Sequence, residues 1–300
     1  MNIFGSIRYH SIGTYLKEQF GKRVVKLSLD GGFTCPNRDG SKGTGGCIFC
    51  SAAGSGDFAG SVPDQIRLLS RKWPDAVYIA YFQNFTNNYA PVERLRALWE
   101  EALSYPGVIG LAIATRPDCL PAEVLELLEE FNRKTFLWVE LGLQTSNEET
   151  GKLINRCCTN EDFEAAMAAL HRRSIRAVVH LILGLPGETR EDMLASARYT
   201  ASHRPFGIKL HMLHVMKGTP IAALYPDRCP LLSMKEYISV ICDILQLLPQ
   251  QITIHRLTGD APKELLIAPD WTRNKHAVLN GIQQELKRRG TYQGSDLDFI

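Results

Sequence analysis

Six apolar runs rich in β-branched and aromatic residues recur along the chain, at 24–29, 76–82, 108–114, 136–143, 177–183 and 207–215, with helical patterns between them. A strand that alternates apolar and polar residues keeps one wet face. An unbroken apolar run is covered on both faces, as in a parallel sheet flanked by helices. The helical segments fall at about 62–72, 91–104, 121–132, 160–173 and 189–202, several of them opening on proline or an acidic first turn such as Pro121-Ala122-Glu123. Six βα units in series predict an α/β fold, a partial (β/α)6 barrel over residues 1–230 that includes an N-terminal segment. Residues 231–300 hold two long helical stretches around one short apolar run, 251–257, and predict a mostly helical extension packed on the core as one structural unit. With 300 residues, 45% of them hydrophobic, the chain has the material for one large core. The ends and residues 51–61 read as the least ordered stretches.

Barrels of this kind bind ligands where the strands end, because the βα loops converge there. The loop after the first run carries Cys35, Cys47 and Cys50, with Gly40, Gly43, Gly45 and Gly46 between the first two. Cys47-Ile48-Phe49-Cys50 is a turn short enough to bring two thiolates to one metal centre, and the glycines let the loop fold back to deliver the third. Structural zinc takes four protein ligands, and an electron-transfer [4Fe–4S] cluster takes four thiolates. Three cysteines therefore suit a cluster with one open iron, or a zinc site completed by Cys119 or His10. Cys119, Cys229 and Cys242 read as small buried hydrophobes. No apolar run of about 18 residues is present, and residues 1–10 lack the apolar stretch of a signal peptide. The chain is expected in the cytoplasm, away from membranes, where its eight cysteines stay reduced.

Other polar groups fall on the same rim. Gln83 and Asn84 follow the second run, where they line a ligand site or make Asx turns that cap the helix at Pro91. Glu140, Gly142 and Gln144 share one face of the fourth run; the glycine admits a bulky ligand, and the carboxylate and amide can bond its ribose or ammonium. Arg156 offers a bidentate contact to a carboxylate or a surface ion pair. Gly184-Leu185-Pro186-Gly187 lets backbone approach a flat ring, while Glu188 and Thr189 suit a helix cap. On the sixth run Lys209 and His211 share a face opposite Leu210 and Met212, and strict alternation turns His214 away from His211. His211 or Lys209 is the candidate catalytic cation; His255-Arg256 poses the same question near the tail.

The Cys47, Phe49, Cys50 arrangement resembles the radical SAM superfamily, whose open iron binds S-adenosylmethionine and releases a 5′-deoxyadenosyl radical on reduction. The resemblance implies that Phe49 packs near the adenine and that Gln83 and Asn84 stand where the methionine amino group is held, with Arg156 answering the carboxylate. The eleven residues between Cys35 and Cys47 exceed the usual three, and the glycine-glycine-acid motif usual after the second strand is absent. Residues 29–40, 140–145, 183–189, 210–215, 256–262 and 266–269, with Trp271, Asn274 and Lys275, resemble the YhcC/YtqA (MnmL)-type radical SAM family, distantly similar to the radical SAM domain of the Elongator catalytic subunit. Cys157-Cys158 stands where that family tends to have Gly-His after the arginine.

The resemblance implies a [4Fe–4S] cluster and S-adenosyl-L-methionine as cofactors and transfer RNA as substrate, with carboxymethylaminomethyl converted to aminomethyl on the wobble uridine. It also implies an electron donor such as flavodoxin or ferredoxin and a downstream SAM-dependent methyltransferase. Net charge is only +2, but Arg273, Lys275, Lys287, Arg288 and Arg289, and His171-Arg172-Arg173 with Arg176, form basic patches suited to phosphates or to an ordinary solvated face. A radical reaction on another substrate, and a zinc-stabilised RNA-binding protein, are the competing readings.

Overall fold

The computed structural model describes residues 4–54, 56 and 58–297. Helix α1 (Ile12–Phe20) leads into β1 (Val24–Leu29), α2 (Val62–Ser70), β2 (Val77–Phe82), α3 (Val92–Ser104), β3 (Val108–Thr115), α4 (Ala122–Lys134) and β4 (Phe136–Gln144). A short helix α5 (Glu148–Leu153) precedes α6 (Asn160–Arg172), β5 (Arg176–Leu183), α7 (Arg190–Ser202) and β6 (Gly207–Met212). The chain continues through β7 (Val215–Met216), α8 (Met234–Leu247), β8 (Thr253–Arg256), β9 (Leu266–Ala268) and α9 (Lys275–Arg289). Side-chain caps fix the helix starts: Thr159, Thr189 and Ser233 each close a capping box, with Asp162, Asp192 and Glu236.

Seven parallel strands pair in the order β1-β2-β3-β4-β5-β6-β8, while β7 and β9 form a separate antiparallel pair. The apolar run at 251–257 thus supplies a seventh barrel strand, so the C-terminal segment completes the sheet as well as covering it. Pairing of β6 with β8 runs from Gly207↔Thr253 to Lys209↔Arg256. The sheet is curled. Lys209 of β6 reaches the Tyr81 hydroxyl of β2 at 3.0 Å, although four strand spacings separate them, roughly 19 Å on a flat sheet.

Curling creates two apolar regions. Outward-facing Leu27, Phe82, Leu111, Val139, Val179 and Leu210 pack against the helices with Trp99, Phe131 and Phe163. Inward-facing Ile79, Ala112, Trp138 and Val178 fill the lower barrel, with Val24, Phe136 and Phe206 at its base. Tyr15 of α1 packs edge-on to Phe206 at 5.1 Å and so plugs that end. Residues 10 and 11 then cover β8: Ile254 N–H donates to His10 O at 2.7 Å, and Ser11 bridges Ile254. Within 51–61, Gly54 N–H closes a turn on Ser51 O and Gly60 bridges Leu29; Ser55 and Asp57 of that stretch, like the extreme ends, lie outside the described residues. Among the described residues no helix is long and apolar enough to cross a membrane.

Candidate active site

The loop after β1 is fastened by polar side chains as well as by its apolar turn. Asn37 Nδ2 donates to Asn155 O at 2.5 Å and stands 3.6 Å from Cys47 Sγ. Asn155 Nδ2 returns bonds to Thr44 O and Gly46 O at 3.1 and 2.8 Å, and Arg38 Nη2 holds Ser51 O at 2.6 Å. Gly45 and Gly46 both have positive φ, 78° and 77°, which L-residues adopt at a cost, so the glycines here are a backbone requirement. Ile48 and Phe49 seat the turn on Ile154, Leu185, Leu213 and Ile221.

Cys35, Cys47 and Cys50 line one wall of a cavity of about 470 Å³, within the range for small-molecule sites. Burial pushes the Cys47 thiol up to about 12; Cys50 and Cys35 push the same way, while Arg116 opposes them. A cationic group among the three thiols reverses that balance. Three thiols on one cavity wall are the donor set that a cluster with one open iron would take, each thiolate on a different iron. The zinc alternatives lose their fourth ligand. His10 lies at the plugged end of the barrel, with Nδ1 3.0 Å from Gln250 O, and the Cys119 thiol turns to Asp118 at 3.6 Å. Buried Asn37 Oδ1, Ser51 Oγ, Asn84 Oδ1, Thr86 Oγ1 and Asn87 Oδ1 in these loops find no hydrogen-bond partner among the described residues.

A charged layer lies below, between the cavity and the apolar base. Glu140 accepts from Trp138 Nε1 and His180 Nε2, each at 2.8 Å, and from Lys209 Nζ. Burial alone would raise the Glu140 carboxyl, but the Lys209 ammonium and His180 outweigh it and hold the group well below the usual carboxylate range. Burial likewise pushes His180 down to about 4, and it stays neutral.

The residues nominated from sequence divide accordingly. Phe49, Gln83, Gln144 and His211 line the cavity beside the thiols, with Glu140 and Lys209. Gln144 sits at φ 68°, a left-handed conformation that is strained for this residue type. Arg156 also borders the cavity, but its guanidinium donates to Cys158 O, Leu143 O, Thr145 O, Glu148 and Asn160, so all five N–H groups are engaged in tying the β4 end to the next loop. That leaves it no donor for a ligand carboxylate. Lys209 is similarly occupied, by Glu140 and Tyr81, and does not stand free as a catalytic cation. Asn84 packs behind the cavity, where a Cβ on Gly56 would fall 1.9 Å from it. Gly184 faces Leu232, Leu185 joins the cluster under the cysteine turn, and Pro186 and Gly187 continue that turn away from the cavity lining. Thr189 caps α7, as its sequence suggested.

Strict alternation also fails at one point. The strand β6 ends at Met212, so His214 escapes the pattern and lines the cavity together with His211. Sequence reading missed Tyr81, His180 and Arg116 as cavity residues. Tyr81 and His180 sit at inward positions of apolar runs, two residues from Ile79 and Val178, and that offset was the available signal. Arg116 ties β3 to the 156–157 loop, donating to Arg156 O at 2.8 Å and Cys157 O at 2.9 Å. The basic patches lie differently from one another. Arg176 opens β5 and covers Phe136, at the end of the barrel opposite the cysteines. Arg273 donates to Lys263 O at the 3.1 Å level near Lys275, whereas Arg288 and Arg289, at the other end of α9, pair with Glu285.

A curled parallel sheet with a three-cysteine loop on its first βα connection defines a radical SAM enzyme. Residues 38–200 match the Radical SAM superfamily and residues 205–288 the Radical_SAM C-terminal domain, so the chain belongs to the Radical SAM superfamily, in the group of YtqA and YhcC. It is 48% identical to YtqA of Bacillus subtilis (strain 168), over 96% of this chain and 92% of that protein. With YhcC of Escherichia coli (strain K12) it shares 34% identity over 95% and 94% of the two chains. A tRNA uridine(34) acetyltransferase of Dehalococcoides mccartyi (strain CBDB1) is 28% identical over 60% of this chain but only 39% of its own length. The archaeal Methanocaldococcus infernus Elp3 with an N-terminal deletion superposes with a TM-score of 0.68 at 17% identity, covering 90% of this chain and 64% of that one, a likeness of fold.

Proposed function

We propose that this protein modifies the wobble uridine of transfer RNA, converting a carboxymethylaminomethyl side chain to the aminomethyl form in the cytoplasm. Cys35, Cys47 and Cys50 would hold a [4Fe–4S] cluster, with Phe49, Gln83 and Gln144 around S-adenosylmethionine. The bound cofactor pair supplies a carbon-centred radical able to remove hydrogen from an unactivated carbon. What this chain contributes is position and dryness: an apolar plug at one end, a charged layer in the middle, and thiols at the mouth. A flavodoxin or ferredoxin would supply the electron, and a SAM-dependent methyltransferase would consume the product.

The observation that carries this reading is the placement of three thiols and a cation-rich wall on one cavity, in a chain whose relatives include a protein named for acting on tRNA uridine(34). Lys275 pairs with Asp260, which borders that cavity, and a cation there suits a phosphate contact. The test compares nucleosides from transfer RNA of cells with and without the gene, beside a reconstituted reaction. Carboxymethylaminomethyluridine should accumulate without the gene. Reduced enzyme should form 5′-deoxyadenosine and aminomethyluridine together, less so as salt rises. Unchanged nucleosides combined with no RNA-dependent product in vitro would reject the substrate.

A further inference from the structure

The β6–β8 side of the cavity carries a charge imbalance that the cofactor end does not explain. Arg256, the last residue of β8, points to the cavity and donates to Asp260 Oδ2 at 2.5 Å. The Lys275 ammonium, from the start of α9, pairs with the same carboxylate. One anion therefore faces two cations, and the wall keeps a net positive charge. Lys209 does not alter the count, because Glu140 neutralises it.

Two histidines complete this wall. His211 is half-buried beside His180, with ring centroids 5.5 Å apart, and its buried Nε2 has no hydrogen-bond partner among the described residues although the ring borders the cavity. Burial first, then the nearby Arg256, His180, Lys209 and His214, hold its pKa well below the usual range, so the ring is neutral and its nitrogen can carry a proton to donate. His214 lies flush against Gly259, where a Cβ would come within 2.5 Å of its Cε1; only glycine at 259 lets the ring sit there. Tyr237 locks the arrangement from outside, its single hydroxyl proton shared between Leu257 O at 3.1 Å and Leu210 O at 3.3 Å beyond the last β6–β8 pair.

We infer that Arg256, His211 and His214 form an anion-accepting subsite for the substrate, which takes the carboxylate of its side arm while the thiol wall takes the cofactor. The inference rests on the function proposed above and assigns to Arg256 the part that Lys209 is too occupied to play. A carboxylate there meets a guanidinium that already presents itself to one carboxylate, plus an unpartnered ring nitrogen. The subsite selects for the carboxylate-bearing form of the nucleoside and against the shortened product, which lacks that group.

The test measures binding to the reconstituted protein of a fluorescent anticodon stem-loop carrying carboxymethylaminomethyluridine, against the same stem-loop with the carboxylate converted to a primary amide. The parent protein should bind the carboxylate form about tenfold or more tightly. Arg256→Gln should bring the two affinities within about twofold. Asp260→Asn, which removes the competing anion, should widen the preference, and it decides the matter if Arg256→Gln does not fold. An Arg256→Gln protein that keeps the preference, an Asp260→Asn protein that narrows it, or a parent that binds both forms equally would overturn the subsite and leave the RNA substrate standing. Failure of the parent to bind either stem-loop would remove the substrate reading and the subsite with it.

Discussion

The strand layer of the cavity and the loop layer above it satisfy their polar groups in different ways. In the strand layer Glu140 has three donors, and Lys209 is bonded to Glu140 and Tyr81, while burial first, then Lys26 and Arg256, outweigh Glu140 and hold the Lys209 ammonium's pKa well below the usual lysine range. In the loop layer five buried side-chain oxygens, from Asn37 to Asn87, have no partner among the described residues, and Phe85, Gln144, Asn155 and Cys157 take left-handed backbone conformations. Unpaired buried oxygens and strained backbone both cost free energy, and they persist where a bound group offsets them. Around Glu140 the lower layer is complete as folded, although among the described residues His211 Nε2 and His255 Nδ1 lack partners there; the upper layer is built to be completed.

The largest effect expected from that contrast concerns iron. Anaerobically reconstituted protein should hold about four irons per chain, and Cys35→Ala, Cys47→Ala or Cys50→Ala should abolish both the iron and S-adenosylmethionine cleavage. Cys229→Ala and Cys242→Ala, which change buried packing only, should keep the cluster. A Cys47→Ala protein with full iron would erase the distinction between the layers.

Next comes stability in the lower layer. Lys209→Met leaves Glu140 buried without its cation, which should cost about 3–5 kcal/mol in denaturant melts, with much of it recovered on adding Glu140→Gln. Arg156→Ala should cost a comparable amount, about 3–5 kcal/mol, because it strips five bonds from a residue 2% exposed. A loss of cofactor affinity with unchanged stability would return Arg156 to the ligand site.

The smallest effect lies between the layers. Burial pushes Glu188 up to about 7, with Thr145 as its hydrogen-bond donor. From about pH 4.5 to 7 the folded protein holds a proton that the unfolded chain has released, so this group makes stability fall as pH rises through that window and stay level above it. Glu188→Gln should remove the slope and melt later than the parent at pH 8, by about 1–3 kcal/mol. Parallel melting curves across pH would show that Glu188 titrates normally.

Sequence legibility follows the same division. The barrel strands and the cysteine turn were readable because apolar continuity and ligand spacing are local properties. For Arg156 the sequence left a ligand contact and an ion pair open, because the number of free donors on a guanidinium depends on carbonyls at 143, 145 and 158, which only the fold assembles. His214 was misplaced because alternation predicts a face only as far as the strand extends. The short run at 251–257 gave no sign of its neighbour, since β8 pairs with a strand some 40 residues earlier.

Residues 8–10 and 291–293 hold each other. Gln293 N–H donates to Arg8 O at 2.9 Å, its side chain accepts from His10 N–H at 2.8 Å, and Arg8 reaches Thr291 O at 3.2 Å. During synthesis, then, residues 8–10 wait for residues 291–293 before they find their places. At synthesis rates of about 5–20 residues per second, β6 waits roughly 2–8 s for β8 to cover its open edge. Throughout that interval the unfinished sheet presents a ladder of unpaired amides to any strand nearby, the condition under which nascent chains aggregate or recruit chaperones.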